Sequence, residues 1–140
     1  MSAVRFEHVS KAFGALKVLD DVSFEIPAGQ AFCLLGRSGT GKSVTLRHIV
    51  GLVRPDRGSV FVEDRDITTL AGRELADVRK HMGFLFQNSA LFDSMSVGEN
   101  VGLALREHTP LPESQIEMVV TEKLSLVGLS GTRTWFRWNS

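Results

Sequence analysis

The chain has a single cysteine, Cys33, so no intramolecular disulfide can brace it, and a reducing compartment suits it. It has no apolar run near the ~18 residues that a membrane-spanning helix requires. Its N-terminus carries no signal-peptide core, so an intracellular protein is expected. Excess charge of one sign is missing too, because sixteen Lys and Arg balance sixteen Asp and Glu. That excludes a polyanion-coating role and any expectation of a nucleic-acid partner, while leaving room for a local anion site. No internal repeat, low-complexity stretch or linker interrupts the sequence. What remains is an ordinary globular composition, 43% apolar and 23% charged over 140 residues, which by size amounts to about one domain.

The first third reads as strands. Val4 to Val9 alternates apolar and polar residues, Val18 to Ile26 does so more loosely, and Pro27-Ala28-Gly29 closes the second run as a turn. Ala31-Phe32-Cys33-Leu34-Leu35 is a continuous apolar run, too short for a helix and followed by glycine. It predicts a strand buried on both faces. Helices are expected over 42–53, 73–80, 97–106 and 113–127, with short strands at 59–62 and 83–86. Strands followed by helices predict an α/β layer fold with an antiparallel N-terminal extension. His8, His48, His81 and His108 show no metal-ligand spacing and read as surface or packing residues.

Gly36-Arg37-Ser38-Gly39-Thr40-Gly41-Lys42-Ser43 matches the G-x-x-x-x-G-K-[ST] phosphate loop, between a predicted strand and a predicted helix. The spacing has a mechanical reason. Glycines let the backbone curl so that successive N–H groups point at phosphate oxygens. The helix opening at Lys42 adds its unpaired amides and the positive end of its dipole. Lys42 can reach the β- and γ-phosphates, and the Ser43 hydroxyl can ligate Mg²⁺. Nucleotide binding is therefore the purpose of the motif.

With these residues in place, the sequence resembles the ATPase subunit of ATP-binding cassette (ABC) transporters. The loop has that family's tighter form, with Ser38 and Gly39 in the expected places. The resemblance implies a P-loop NTPase fold and a site for ATP and Mg²⁺ built from Gly36, Arg37, Ser38, Gly39, Thr40, Gly41, Lys42 and Ser43. It implies that Phe13 stacks on adenine, a base-tolerant contact. It also implies that Gln87, 45 residues after Lys42, is the Q-loop glutamine and a second metal ligand beside Ser43. The strings Ala90 to Val97 and Leu105 to Thr109 resemble the ATPases of phospholipid and toluene-tolerance systems. The partners implied are a permease, a second ATPase subunit and Mce-type lipid-binding components, at the inner face of the bacterial cell membrane.

The 140 residues contain no L-S-G-G-Q signature, no apolar strand ending in Asp-Glu, and no later switch histidine. Glu63-Asp64 has the acids reversed and lies on the wrong side of Gln87. No catalytic residue is therefore assigned, and residues 1–131 are expected to be the N-terminal part of a nucleotide-binding domain, C-terminally truncated, with an incomplete core sheet. Mg-ATP binding is expected without turnover by this chain alone. The alternatives are a non-catalytic nucleotide-binding or pairing fragment, or another P-loop enzyme such as a small kinase. The kinase lacks support, because no arginine-rich lid is recognisable. Leaving Ala31–Leu35 as an unpaired apolar edge would make the chain poorly soluble and marginally stable.

The segment 132–140 fits the family poorly, and it holds both tryptophans, Trp135 and Trp138. One codon choice for Arg133 to Ser140, CGG ACC TGG TTC CGG TGG AAC TC, read two bases in, encodes D-L-V-P-V-E-L, a plausible lead into S-G-G. A shifted reading frame near residue 132 is therefore expected. Sequencing the gene across this point should find S-G-G codons in the alternate frame; an in-frame stop without them contradicts the shift.

Overall fold

Alternation at the N-terminus builds a long hairpin. In the computed structural model, which describes residues 1–86 and 90–136, β1 (Ser2–Phe13) pairs antiparallel with β2 (Leu16–Pro27) around a turn at Gly14 and Ala15. The register sets Phe6 opposite Phe24, and their rings stack with centroids 4.5 Å apart. A third strand, β3 (Arg57–Val62), pairs antiparallel with the other edge of β1, and a short β4 (Arg65–Asp66) follows it. The sheet order is β2-β1-β3-β4. This is the expected antiparallel extension, carried on an α/β fold.

The chain divides into two units, Met1–Phe84 and Leu85–Ser140. The first contains the sheet and two helices, α1 (Lys42–Ile49) and α2 (Gly72–Arg79). Its core gathers Phe6, Val9, Leu19, Val60, Val62, Ile67 and Val78. α1 is shorter than the 42–53 expected because Gly51 reverses the chain with φ of 68°. Gly51 N–H bonds to the His48 carbonyl at 3.0 Å and Leu52 N–H to the Arg47 carbonyl at 2.9 Å, a Schellman stop. From α2, Arg79 donates to the carbonyls of Val50 at 2.8 Å and Gly51 at 3.1 Å, satisfying the helix end.

The second unit holds α3 (Val97–His108) and α4 (Glu113–Leu126), which share a core of Ile116, Val120 and Leu124 with Val97, Leu105 and Leu111 packed on it. A capping box starts α3: Glu99 N–H donates to the Ser96 hydroxyl at 3.2 Å, and Ser96 N–H donates to the Glu99 carboxylate at 2.6 Å. The carbonyls of Trp135 and Arg133 accept from Val97 N–H at 2.7 Å and Gly98 N–H at 2.8 Å. Both of those bonds are backbone to backbone, so they do not depend on which side chains occupy positions 133 and 135. No helix among the described residues is long and apolar enough to cross a membrane.

Two expected strands do not form. Ala31–Leu35 has no strand partner and is exposed throughout, with Leu35 at 84%. A run read as buried on both faces needs neighbours on both edges, and the four strands present pair only with one another. It meets the core through Phe32, whose ring stacks on Phe24 at 5.3 Å. The run 83–86 likewise has no strand assignment, and Leu85 is 91% exposed.

Gly58, at the start of β3, marks the tightest approach in the sheet. Its φ is +81°, and a Cβ there would meet the carbonyl oxygens of Glu7 and His8, each at 2.3 Å. Substitution Gly58→Ala should lower the urea stability of the first unit by at least about 2 kcal/mol, from left-handed strain plus backbone overlap. An unchanged midpoint would mean that β1 and β3 separate at little cost.

Candidate phosphate-binding site

The site is built where β2 meets the start of α1. Gly41 precedes the helix with φ of 91°, a left-handed conformation that glycine adopts without strain. A Cβ at this position would lie 3.1 Å from the Val18 carbonyl oxygen and 3.2 Å from the Leu19 and Val18 side chains. Gly41 is buried there, while residues 36–40 stand exposed. The first turn is then fastened by Thr45, whose N–H at 2.8 Å and hydroxyl at 2.9 Å both donate to the Gly41 carbonyl.

Upstream the backbone curls on itself. Thr40 donates to the Arg37 carbonyl through its amide at 3.4 Å and its hydroxyl at 2.7 Å. Gly39 has φ of 80°, and a Cβ on Gly36 would fall 2.5 Å from the Thr40 hydroxyl oxygen. The Lys42 ammonium folds back into this curl and donates to the carbonyls of Gly36 and Arg37. The loop thus places a cation within its own hollow.

The helix end is chemically prepared for an anion. Its N-cap is a glycine, so no side-chain oxygen occupies the terminus, and its first turn has no acidic residue. The amides of Lys42, Ser43 and Val44 have no acceptor among the described residues. At α3, by contrast, all three corresponding amides are satisfied. Ser43 is exposed beside these amides, where a hydroxyl can reach a metal ion shared with a bound phosphate.

Phe13 closes β1 opposite Leu16, two residues before the Val18 that touches Gly41. Its ring is 49% exposed. Strand, loop and helix therefore place the predicted base-stacking ring in the same unit as the predicted phosphate ligands, Gly36 to Ser43. Gln87 lies outside the described residues.

The sequence marked His48 only as a surface or packing residue. It is 1% exposed on α1, its Nδ1–H donates to the Val44 carbonyl at 2.7 Å, and its ring meets Phe6 edge-on at 6.3 Å. Its Nε2 is buried without a hydrogen-bond partner among the described residues. Burial pushes its pKa below the ordinary histidine value, and the nearby Lys11 ammonium adds to that. Spacing six residues beyond Lys42 held no hint of this, because the burial comes from Phe6 on a distant strand.

The family model described as ABC transporter matches residues 19–136, spanning β2, the loop and all four helices. The chain belongs to the ABC transporter family. It is 46% identical over 134 residues to a Mycobacterium leprae protein named "Probable ribonucleotide transport ATP-binding protein mkl", covering 96% of this chain and 39% of that one. It is 41% identical over 114 residues to the intermembrane phospholipid transport system ATP-binding protein MlaF of Haemophilus influenzae, covering 81% of this chain and 43% of that one. The chain thus spans about two fifths of the length of these ABC relatives. Among solved structures, the fold matches the ATP-binding cassette MJ0796, a dimer in a post-hydrolysis state bound to ADP and Pi. That match has a TM-score of 0.85 at 26% identity, over 98% of this chain and 62% of that one.

Neutral, buried His48 ties the stability of the first unit to pH. In the unfolded chain it takes up a proton near pH 6.5, and in the fold only at lower pH. The unfolded state therefore binds more protons below about pH 6.5, so this contribution is full above that value and declines as pH falls through it. Urea midpoints at pH 7.5 and 5.5 should differ for the wild type and differ less for His48→Leu. Equal differences would show that His48 titrates alike in both states.

Proposed function

We propose that residues 1–131 are the nucleotide-gripping part of an ABC transporter ATPase subunit, which binds Mg-ATP through Gly36 to Ser43. The observation that carries this reading is the acid-free start of α1. Three amides without an acceptor among the described residues open the helix behind Gly41, and the Lys42 ammonium lies on the Gly36 and Arg37 carbonyls of the same loop. Such a terminus favours a phosphate over any neutral ligand. Lys42 would exchange its loop carbonyls for β- and γ-phosphate oxygens, and the amides would hold the chain of phosphates in register. Mg²⁺, held by Ser43 and by Gln87, would neutralise the phosphate charge. Phe13 would cover the base, adding affinity more than purine specificity.

Turnover is a separate matter. In the family's chemistry an Asp steadies the metal, a Glu serves as base for the attacking water, and the signature of the opposite subunit closes the site. None of these occurs in the 140 residues, so hydrolysis requires groups from outside them.

The two relatives named above agree in ATP binding and differ in cargo. We assign a lipid-transport system on the likeness to MlaF together with the Ala90 to Val97 and Leu105 to Thr109 strings. The partners are then a permease, a second ATPase subunit and Mce-type components, with the chain peripheral on the inner face of the cell membrane.

A fluorescent ATP analogue titrated in the presence of Mg²⁺ tests the reading. Substitution Lys42→Ala should weaken binding by about tenfold or more, the worth of a charge-assisted contact. Phosphate release should stay at background in both proteins. Undiminished binding in Lys42→Ala contradicts the assigned grip, and phosphate release abolished by that substitution contradicts the separation of binding from turnover.

A further inference from the structure

Asp56 lies in the connection between α1 and β3, and it reaches across to the end of β1. One carboxylate oxygen accepts from the Lys11 ammonium at 2.9 Å, and the other accepts from Ala12 N–H at 2.8 Å. The Asp56 amide in turn donates to the Ser10 carbonyl at 2.9 Å. Three successive residues of β1 are therefore tied to one aspartate, and the next residue is Phe13. The Lys11 ammonium that Asp56 holds stands over the Phe13 ring, 5.4 Å from its centroid, within cation–π range. That places a cation over a ring that is half exposed, so part of its surface is open to a planar ligand.

The same connection follows directly from the phosphate helix. α1 ends at Ile49, Gly51 reverses the chain, and Asp56 is reached five residues later. His48 at the end of α1 lies close enough to both Lys11 and Asp56 to feel their charges. One short stretch thus links the element that holds the loop to the element that presents Phe13.

We propose that Asp56 is a positioning residue for nucleotide binding: it clamps the end of β1 so that Phe13 offers its open surface to the base of a nucleotide whose phosphates lie at α1. This rests on the nucleotide-binding reading above. The Asp56 side chain is about half exposed, at 49%, so its ion pair adds little to stability and its effect is chiefly geometric. Removing the carboxylate takes away the bonds to Lys11 and Ala12 and leaves the Asp56 amide on the Ser10 carbonyl, so the end of β1 is loosened without emptying the core.

The test separates base from phosphate. Full-length protein with Mg²⁺ is titrated with methylanthraniloyl-ATP, and inorganic tripolyphosphate is titrated as competitor. Asp56→Ala should weaken the ATP analogue about five- to tenfold, part of the worth of one stacked base, and leave tripolyphosphate within about twofold. Asp56→Asn, which keeps an oxygen for Ala12 N–H, should fall between wild type and Asp56→Ala. Unchanged affinity for the analogue in Asp56→Ala overturns the proposal, as does equal weakening of both ligands, which a merely structural role would produce. Wild type binding tripolyphosphate as tightly as the analogue overturns it as well, since Phe13 would then contribute nothing. Wild type binding neither ligand would fell the nucleotide reading itself, and this one with it.

Discussion

The phosphate site depends on one contact, the packing of Gly41 against Val18 and Leu19 of β2. A left-handed residue there lets the chain leave the exposed loop and turn directly into α1 while the helix start stays against the sheet. A residue with a side chain would be strained by the left-handed backbone and would press on the Val18 carbonyl oxygen 3.1 Å away. Helix direction follows from that contact, and with it the direction of the free amides, Lys42 and Ser43. The far end of α1 is fixed independently by the turn at Gly51 and by Arg79 from α2. A helix of only eight residues would be marginal by itself. Held at both ends, it keeps its amides preorganised for the proposed phosphate.

The energetic distribution around this contact is uneven. Phe6, Phe24 and Phe32 form a stacked ladder of rings that runs outward from a buried to a half-exposed position. Beyond Phe32 the apolar run stays exposed through Leu35 and into the loop. The site is therefore supported from the β2 and α1 side, not from the exposed segment that leads into the loop. Residues 36–40 rely on local bonds, chiefly Thr40 and Lys42 to the carbonyls of Gly36 and Arg37. Such a loop can exchange those bonds for phosphate oxygens with little reorganisation of the core. Exposed Leu34 and Leu35 carry the opposite consequence, since an unpaired apolar segment without charge invites association.

Features set by neighbours in the chain were legible in the sequence. The loop spacing marked Gly36 to Ser43 as the expected phosphate ligands, alternation marked the hairpin, and the helices among the described residues begin within a residue of where capping and periodicity put them. Ser96 followed by Glu99 spells a capping box that the helix pattern already contained. Features set by distant partners were not legible. Ala31–Leu35 has the composition of a buried strand, but a strand exists only where another edge accepts its hydrogen bonds. His48 looks like any helix residue until Phe6 covers it. Asp56 looks like a turn residue until its carboxylate meets Lys11 and Ala12, more than forty positions earlier.

Family membership and geometry converge on one account. In the proposed account, the chain holds phosphate at the start of α1 and needs none of the catalytic groups of the family's chemistry to do so. Phosphorus-31 NMR of Mg-ATP titrated with the chain examines this most directly, because it reports on the phosphates themselves. The account predicts saturable broadening and shift of the β- and γ-phosphate signals, with no inorganic phosphate growing in over hours. Signals unchanged at protein concentrations equal to the nucleotide would contradict it.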